Sequence, residues 1–212
     1  FYQPKLVIID TSFISSLSRK EMICGFAEIL KHSIIKDKKF FNWLEKNSRL
    51  IFLKKDKELT YAIKKSCEIK IYFVTKDLNE KGLRMILNFG HTFAHAIEVR
   101  NNYSKNITHG EAVLTGMILA IKLSILKKNC TYKILNQVRN LYVKNNLTHS
   151  LKNVSNTKWI QSLIPFLKQD KKNDDDKINF LLLKDIGKAD LPNKFKISTS
   201  DLRRHCKTIS QY

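Results

Sequence analysis

Paired cysteines, a membrane-length apolar run and a basic block are all missing from this sequence, and each absence removes a class of protein. The four cysteines (Cys24, Cys67, Cys130 and Cys206) lie far apart, with no CxxC pair and no secretory segment ahead of them. No disulfide framework is indicated, and reduced thiols in a cytoplasmic protein are the expectation. The most apolar run, "AVLTGMILAIKLSIL" at 112–126, falls short of the roughly 20 residues that span a bilayer and carries Lys122. It reads as a buried core helix, so no membrane partner is expected. Acidic residues are scarce, 19 against 39 Lys and Arg, which leaves a formal charge of +20. Charge alone would favour a basic nucleic-acid-binding module. The lysines are instead spread in pairs along almost every helical pattern, as in "KKDKE" and "ILKKN". No Arg-rich arm and no aromatic strand motif of an RNA-recognition sheet accompanies them, so no nucleic-acid partner is expected. Repeats and low-complexity linkers are absent too.

With 212 residues, 43% of them hydrophobic, the chain can bury a sizeable core. It opens on Phe rather than Met, and "KLVIID" reads as one buried strand with nothing before it to pair with, so the start looks cut. "TSFISSLSRKE" follows as a Ser-rich connection with good N-cap candidates. Helical patterns then dominate, over about 19–35, 38–46, 57–77, 88–100, 110–128, 131–145 and 156–169. Only "INFLLL" at 178–183 and "KFKIS" at 194–198 look extended, and "DLRRHCKTI" is helical again. The expectation is a mainly α domain with a small β-hairpin.

Positions three and four apart share a helix face, so polar residues that leave the solvent side stand out. In 88–100, Phe89, Phe93, Ala96 and Ile97 form an apolar stripe, and Asn88, His91 and His95 line the adjoining one. In 19–35, Phe26, Leu30 and Ile34 make the packing face while Cys24, Glu28 and Lys31 stack on another. Glu28 and Lys31 can be an ordinary surface ion pair. In 57–77 the core stripe Ile63, Cys67, Val74 has Lys70 at its centre, where a lysine needs an anion or must snorkel to the edge. A catalytic zinc takes three imidazole or carboxylate ligands and keeps a position open. Glu28, His91 and His109 would supply such a set. Structural histidines, and a His109-Gly-Glu111 helix start with Glu111 in the first turn, account for the same pattern.

The ordered set "AEILK", "SCEIK", "NEKGLRMILNFGHTFAHAIE", "HGEAVLTGM" and "DKKNDDDKINFLLLKDIGKA" resembles the C-terminal half of the 3-dehydroquinate synthases. Order and spacing carry the likeness, which runs over nearly the whole chain. It implies a truncated two-domain enzyme. Residues 1–18 would end an NAD-binding α/β domain, and 19–212 would form a mainly α domain holding zinc and much of the substrate site. The missing N-terminal NAD domain would leave this fragment inactive alone, and the intact protein would be a homodimer. The implied reaction converts 3-deoxy-D-arabino-heptulosonate 7-phosphate to 3-dehydroquinate and phosphate in the shikimate pathway. A related sugar-phosphate cyclase is the alternative of the same fold.

By motif, the resemblance assigns zinc (or cobalt) to Glu28, His91 and His109. It assigns substrate and phosphate contacts to Lys31, Lys70, Arg84, Asn88 and a lysine of "DKK", Lys171 or Lys172. Proton transfer falls to Glu80 and His95, and Gly82 would permit the turn that brings Arg84 inward. The dinucleotide edge falls to Phe13, Ile14, Ser15, Ser16 and Cys24. Departures from the family pattern are His32 for Tyr, Ala94 for Gly, Ser18 for Pro, and Asp for a turn Gly in "NDDDK".

Overall fold

A computed structural model of the chain describes residues 2, 4–104, 106–167 and 177–212. Helix α5 (His109–Leu126) is the axis of the fold. It is apolar on every face and buried along nearly its whole length, as a helix surrounded by others must be. By length and composition it could cross a bilayer, but most of it is buried inside the protein, as a core helix. Helices α1 (Arg19–Lys36), α4 (His91–Arg100) and α6 (Tyr132–Lys144) pack against it. Helices α2 (Lys38–Phe52) and α3 (Asp56–Lys76) cover α1, while α7 (Thr157–Leu167) lies on α4 and α8 (Thr199–Gln211) on α7.

Two polar side chains deep in this core find backbone partners. The Lys122 side chain is 0% exposed and donates to Val154 O at 2.5 Å, and Tyr142 Oη donates to Leu114 O at 2.9 Å. Two capping boxes set the starts of the helices that matter most. Ser18 with Glu21 opens α1, and Thr108 with Glu111 opens α5. Ser18, which departs from the family pattern, is thus a working N-cap.

The β part is two small antiparallel pairs. Strand β1 (Lys177–Phe180) pairs with β4 (Phe195–Ser198), Ile178 opposite Ile197. Strand β2 (Leu183–Asp185) pairs with β3 (Lys188–Ala189) across a turn at Gly187. "INFLLL" is therefore divided between two sheets rather than forming one strand.

Four other expectations change. "KLVIID" forms no strand among the described residues and its apolar side chains are exposed, Ile8 at 82%. A strand needs a ladder neighbour, and none is present there. Helix α2 continues to Phe52 because its buried stripe Phe40, Phe41, Leu44, Ser48 and Ile51 runs past the Asn47-Ser48 pair. The helix of the histidines begins at His91, since Gly90 adopts φ 81° and closes a 3-10 turn over Leu83–Asn88. Asn88 lies on that turn, not on α4. Finally, the buried stripe of α3 is Leu59, Ala62, Ser66, Ile69 and Phe73. The expected stripe was displaced by one residue, about 100° round the helix, and Lys70 is exposed.

Candidate metal and substrate site

Three helices meet where the candidate ligands lie. Glu28 is in mid-α1, and His91 and His109 are the first residues of α4 and α5. One potential ligand atom from each falls within 4.8 Å of the other two. Glycines set this convergence. A Cβ at Gly110 would lie 2.3 Å from Cys24 Cα, so the start of α5 touches α1 one turn ahead of Glu28. A Cβ at Gly90 would lie 2.8 Å from Met117 Cγ and 2.9 Å from Met117 N, so the start of α4 rests directly on α5.

The donor atoms are oriented for a cation. His109 Nδ1 lies 2.9 Å from Glu98 Oε1, a contact that engages Nδ1–H and leaves Nε2 as the nitrogen with a lone pair to offer a metal. Glu111 accepts from Thr108 N at 2.8 Å as the cap. The cap is thus Glu111, which leaves His109 available as a candidate ligand. Glu28 Oε2 accepts from Lys31 Nζ at 2.6 Å, while Oε1, 3.7 Å from His91 Nε2, is buried with no hydrogen-bond partner. A buried carboxylate oxygen without a donor is costly unless a cation meets it. Ligands about 2 Å from one zinc lie within about 4 Å of each other, so small rotations would close this set.

Burial would raise the Glu28 carboxyl, but the charge and hydrogen bond of Lys31 outweigh it and hold it below its usual value. Burial, reinforced by the Lys31 ammonium and only partly offset by Glu28, lowers His91 to about 4. His91 is therefore neutral at pH 7, as an imidazole ligand must be.

Beside the cluster lies an open cleft of about 180 Å³, walled by Lys31, His32, Lys70, Arg84, Asn88 and Glu80 among others. Lys31 is 3% exposed, which removes the surface ion-pair alternative. Lys70 reaches the cleft from its exposed edge of α3. The loop after α3 is tied by one carboxylate. Asp77 accepts from the backbone N–H groups of Lys81, Gly82 and Arg84 at 3.1, 2.8 and 3.0 Å. These bonds, that of Lys81 foremost, hold Asp77 below the usual carboxylate range. The loop thereby directs Arg84 to the cleft and places Glu80, at φ 54°, where its Oε1 accepts from Asn88 Nδ2 at 2.7 Å.

His95 is exposed, its ring centroid 5.6 Å from that of His91, and it stands outside the ligand-atom cluster. His32 lies in the cleft wall with Nδ1 2.7 Å from Ser66 Oγ. Cys24 sits at the edge of the cluster against Gly110. Phe13 to Ser16 form a 3-10 turn held by the Asp10 side chain, with Phe13 exposed and Ile14 in an apolar groove against α1 and α3. They are not brought to the cleft. Lys171 and Lys172, with residues 173–176 of "NDDDK", lie outside the described residues.

Sequence reasoning missed three side chains: Asp77, Glu98 and Ser66. Glu98 had a signal, since it follows His91 by seven residues and so shares its face. Asp77 had one as well, an Asx residue just ahead of a Gly-containing loop. Ser66 had none, because its partner lies on another helix.

A family model described as "3-dehydroquinate synthase C-terminal" matches residues 25–173. The 3-dehydroquinate synthase of Pelagibacter ubique is 43% identical over 202 residues, 95% of this chain and 55% of that protein. That of Endomicrobium trichonymphae is 44% identical over 193 residues, 89% of this chain and 51% of that protein. The chain spans about half the length of the curated relatives it matches. Among solved structures, a 2-deoxy-scyllo-inosose synthase complexed with carbaglucose-6-phosphate, NAD+ and Co2+ superposes with a TM-score of 0.80 at 24% identity. It is covered over 57% of its length by 98% of this chain. A Streptomyces hygroscopicus 2-epi-5-epi-valiolone synthase with NAD+ and Zn2+ bound gives 0.75 at 21%, covering 95% of this chain and 54% of that one. The two structures establish a shared fold; the family match and the sequence relatives establish more, and by them this chain belongs to the 3-dehydroquinate synthase family, within the part that forms its C-terminal domain.

Proposed function

We propose that the chain is the metal- and substrate-binding domain of a 3-dehydroquinate synthase. Such an NAD- and metal-dependent lyase converts 3-deoxy-D-arabino-heptulosonate 7-phosphate to 3-dehydroquinate and inorganic phosphate. Residues 1–18 would lead in from an NAD-binding α/β domain, and the assembled enzyme would be a cytoplasmic homodimer. The observation that carries this reading is the Glu28, His91 and His109 cluster, with its unpaired carboxylate oxygen, beside a cleft walled by Lys31, Lys70 and Arg84.

Bound zinc or cobalt would act as a Lewis acid and template for the substrate's hydroxyls and transient carbonyl. The protein side chains do the rest. Lys31, Lys70 and Arg84 offer cations to carboxylate and phosphate, Arg84 with a planar fork suited to two oxygens, and Lys171 or Lys172 would add to them. Asn88, tethered to Glu80, orients a substrate oxygen, and Glu80 serves as a proton acceptor. His95, accessible at the rim and outside the ligand-atom cluster, moves protons. Phe13 to Ser16 and Cys24 would meet the dinucleotide. Cys24's place beside the cluster supports that role; the distance of Phe13 to Ser16 from the cleft makes theirs depend on how the nucleotide domain docks.

The test has two arms. The chain should bind one equivalent of zinc, His91→Ala and His109→Ala should each lose it, and His95→Ala should keep it. Stoichiometric zinc in both ligand variants would refute the set. Supplied with the NAD-binding half of a relative, the chain should release phosphate and dehydroquinate together from the heptulosonate phosphate. A different cyclic product would move it to a related sugar-phosphate cyclase.

A further inference from the structure

His32 occupies the cleft wall one residue after Lys31 and one helical turn after Glu28, and has no part in the chemistry proposed for the site. It is 5% exposed, and its Nδ1 lies 2.7 Å from the hydroxyl of Ser66 on α3. Ser66 is buried in the α1–α3 contact, and His32 is its side chain's hydrogen-bond partner among the described residues. That fixes the direction of the bond. A buried hydroxyl has one proton to give, and the acceptor within reach is the Nδ1 lone pair. Were Nδ1 to carry the proton instead, the Ser66 hydroxyl would accept and leave its own proton unpaired in the interior, an arrangement that costs a buried hydroxyl its desolvation without return. The ring proton therefore resides on Nε2. The protein offers Nε2 no partner among the described residues, and Nε2 is not among the sealed, unpaired buried atoms, so it opens to the cleft.

We infer that His32 is a specificity-determining residue of the proposed site, which Ser66 holds as the Nε2–H tautomer so that it donates a hydrogen bond to a hydroxyl or phosphate oxygen of a polyhydroxylated anion. The inference rests on reading the cleft as a sugar-phosphate site. Its neighbours explain why a neutral donor is useful there. Lys31, Lys70 and Arg84 attract any anion that fits, whereas a neutral donor of fixed direction rewards an oxygen at one position. A ligand lacking that oxygen leaves the imidazole N–H unpaired against a desolvated wall, a penalty from which selectivity is made. The ring stays neutral for this task, because burial, with Lys31 next to it, lowers it to about 4.

Nitrogen-15 spectra of histidine-labelled, zinc-loaded chain at pH 7 report the tautomer directly. The Nε2–H pattern is expected for His32, with mixing of tautomers in Ser66→Ala; an Nδ1–H pattern in the wild type overturns the inference. Titration with 3-deoxy-D-arabino-heptulosonate 7-phosphate into the same chain should shift the His32 Nε2–H resonance. His32→Phe should weaken binding about tenfold, the ratio one neutral hydrogen bond supports, with zinc stoichiometry unchanged. His32→Gln, which keeps a donor, should recover part of the loss. Unchanged affinity in a folded, zinc-loaded His32→Phe overturns the inference alone, and no binding by the wild type overturns the sugar-phosphate reading with it. Should His32→Phe lose its fold, Ser66→Ala carries the test, since it keeps the ring and frees its tautomer.

Discussion

Gly110→Ala and Gly25→Ala are the same chemical change made twice, and the structure assigns them opposite outcomes. Both glycines lie in helices, where replacing Gly by Ala gains about 1 kcal/mol of propensity. At Gly25 an added Cβ meets nothing within 4 Å, so that gain should survive. At Gly110 the Cβ would stand 2.3 Å from Cys24 Cα, 2.9 Å from Cys24 N and 3.1 Å from Cys24 Cβ. All belong to one residue of a packed helix, two of them backbone atoms, so no side-chain rotation relieves the clash. Restoring carbon contacts to about 3.5 Å requires α1 and α5 to part by about 1.2 Å. Overpacking of this kind costs about 1–3 kcal/mol, and because both variants share the propensity gain they should differ by that same amount.

The displacement should also reach the metal cluster, because Glu28 travels with α1 and His109 with α5. Zinc affinity, read by competition with a chromophoric chelator, should fall about ten- to a hundredfold in Gly110→Ala, the range seen when the support of metal ligands is disturbed. Melting temperature should fall by about 2–4 °C for each kcal/mol lost. Gly25→Ala should match or exceed the wild type in stability and leave zinc affinity unchanged. Wild-type zinc affinity and melting temperature in Gly110→Ala would refute the claim that backbone contact at this glycine aligns the cluster.

Removing the carboxylate behind His109, as Glu98→Ala, should weaken zinc about ten- to a hundredfold without unfolding the chain, because the imidazole loses the partner that orients it; equal affinity would sink that role. Asp77→Ala frees three backbone amides, so hydrogen exchange at Lys81, Gly82 and Arg84 should accelerate while zinc stoichiometry stays at the wild-type value. Protected amides in that variant would show that the loop is ordered otherwise. Lys122, lowered by burial from 10.5 to about 8, binds a proton in the unfolded chain but not in the folded one between those values. Its contribution therefore makes stability rise with pH across that window. Urea midpoints of Lys122→Met should lack that rise, and parallel pH profiles would refute it.

The local grammar of the chain was legible where it acts within a helix. Capping residues Ser18 and Thr108 stand three residues ahead of Glu21 and Glu111, and both boxes form. The apolar stripe Phe89, Phe93, Ala96 and Ile97 is buried as its spacing requires, although Phe89 precedes the helix. What spacing does not give is the phase of a broad stripe. On α3 the residues at 62, 66, 69 and 73 and those at 63, 67, 70 and 74 have the same periodicity, and both sets contain apolar members. Only the position of α1 and α2 decides between them. "KLVIID" failed for a related reason: β-branched apolar residues permit a strand, but the ladder partner that makes one lies elsewhere in a fold.

The two lysines of the cleft show the limit most clearly. From periodicity, Lys31 read as half of a surface ion pair and Lys70 as a buried charge needing an anion; their burial is the reverse. Each lies on a helix with a good apolar stripe, so nothing within either helix distinguishes them. The difference is in the number of covering layers. Helix α1 is packed by α2, α3, α5, β3 and the 3-10 turn before α4, so even the margin of its apolar face is enclosed. Helix α3 is packed by α1, α2 and two 3-10 turns, which leaves its margin open. Lys31 can be buried because Glu28, one turn earlier on the same helix, gives it a carboxylate at 2.6 Å. That pairing leaves one Glu28 oxygen committed and the other bare, so the ion pair that looked like a surface ornament is what points the bare oxygen at His91. The identities in the cluster were readable from order and spacing. Its polarity, one oxygen spent and one available, emerges only when α5 closes over α1.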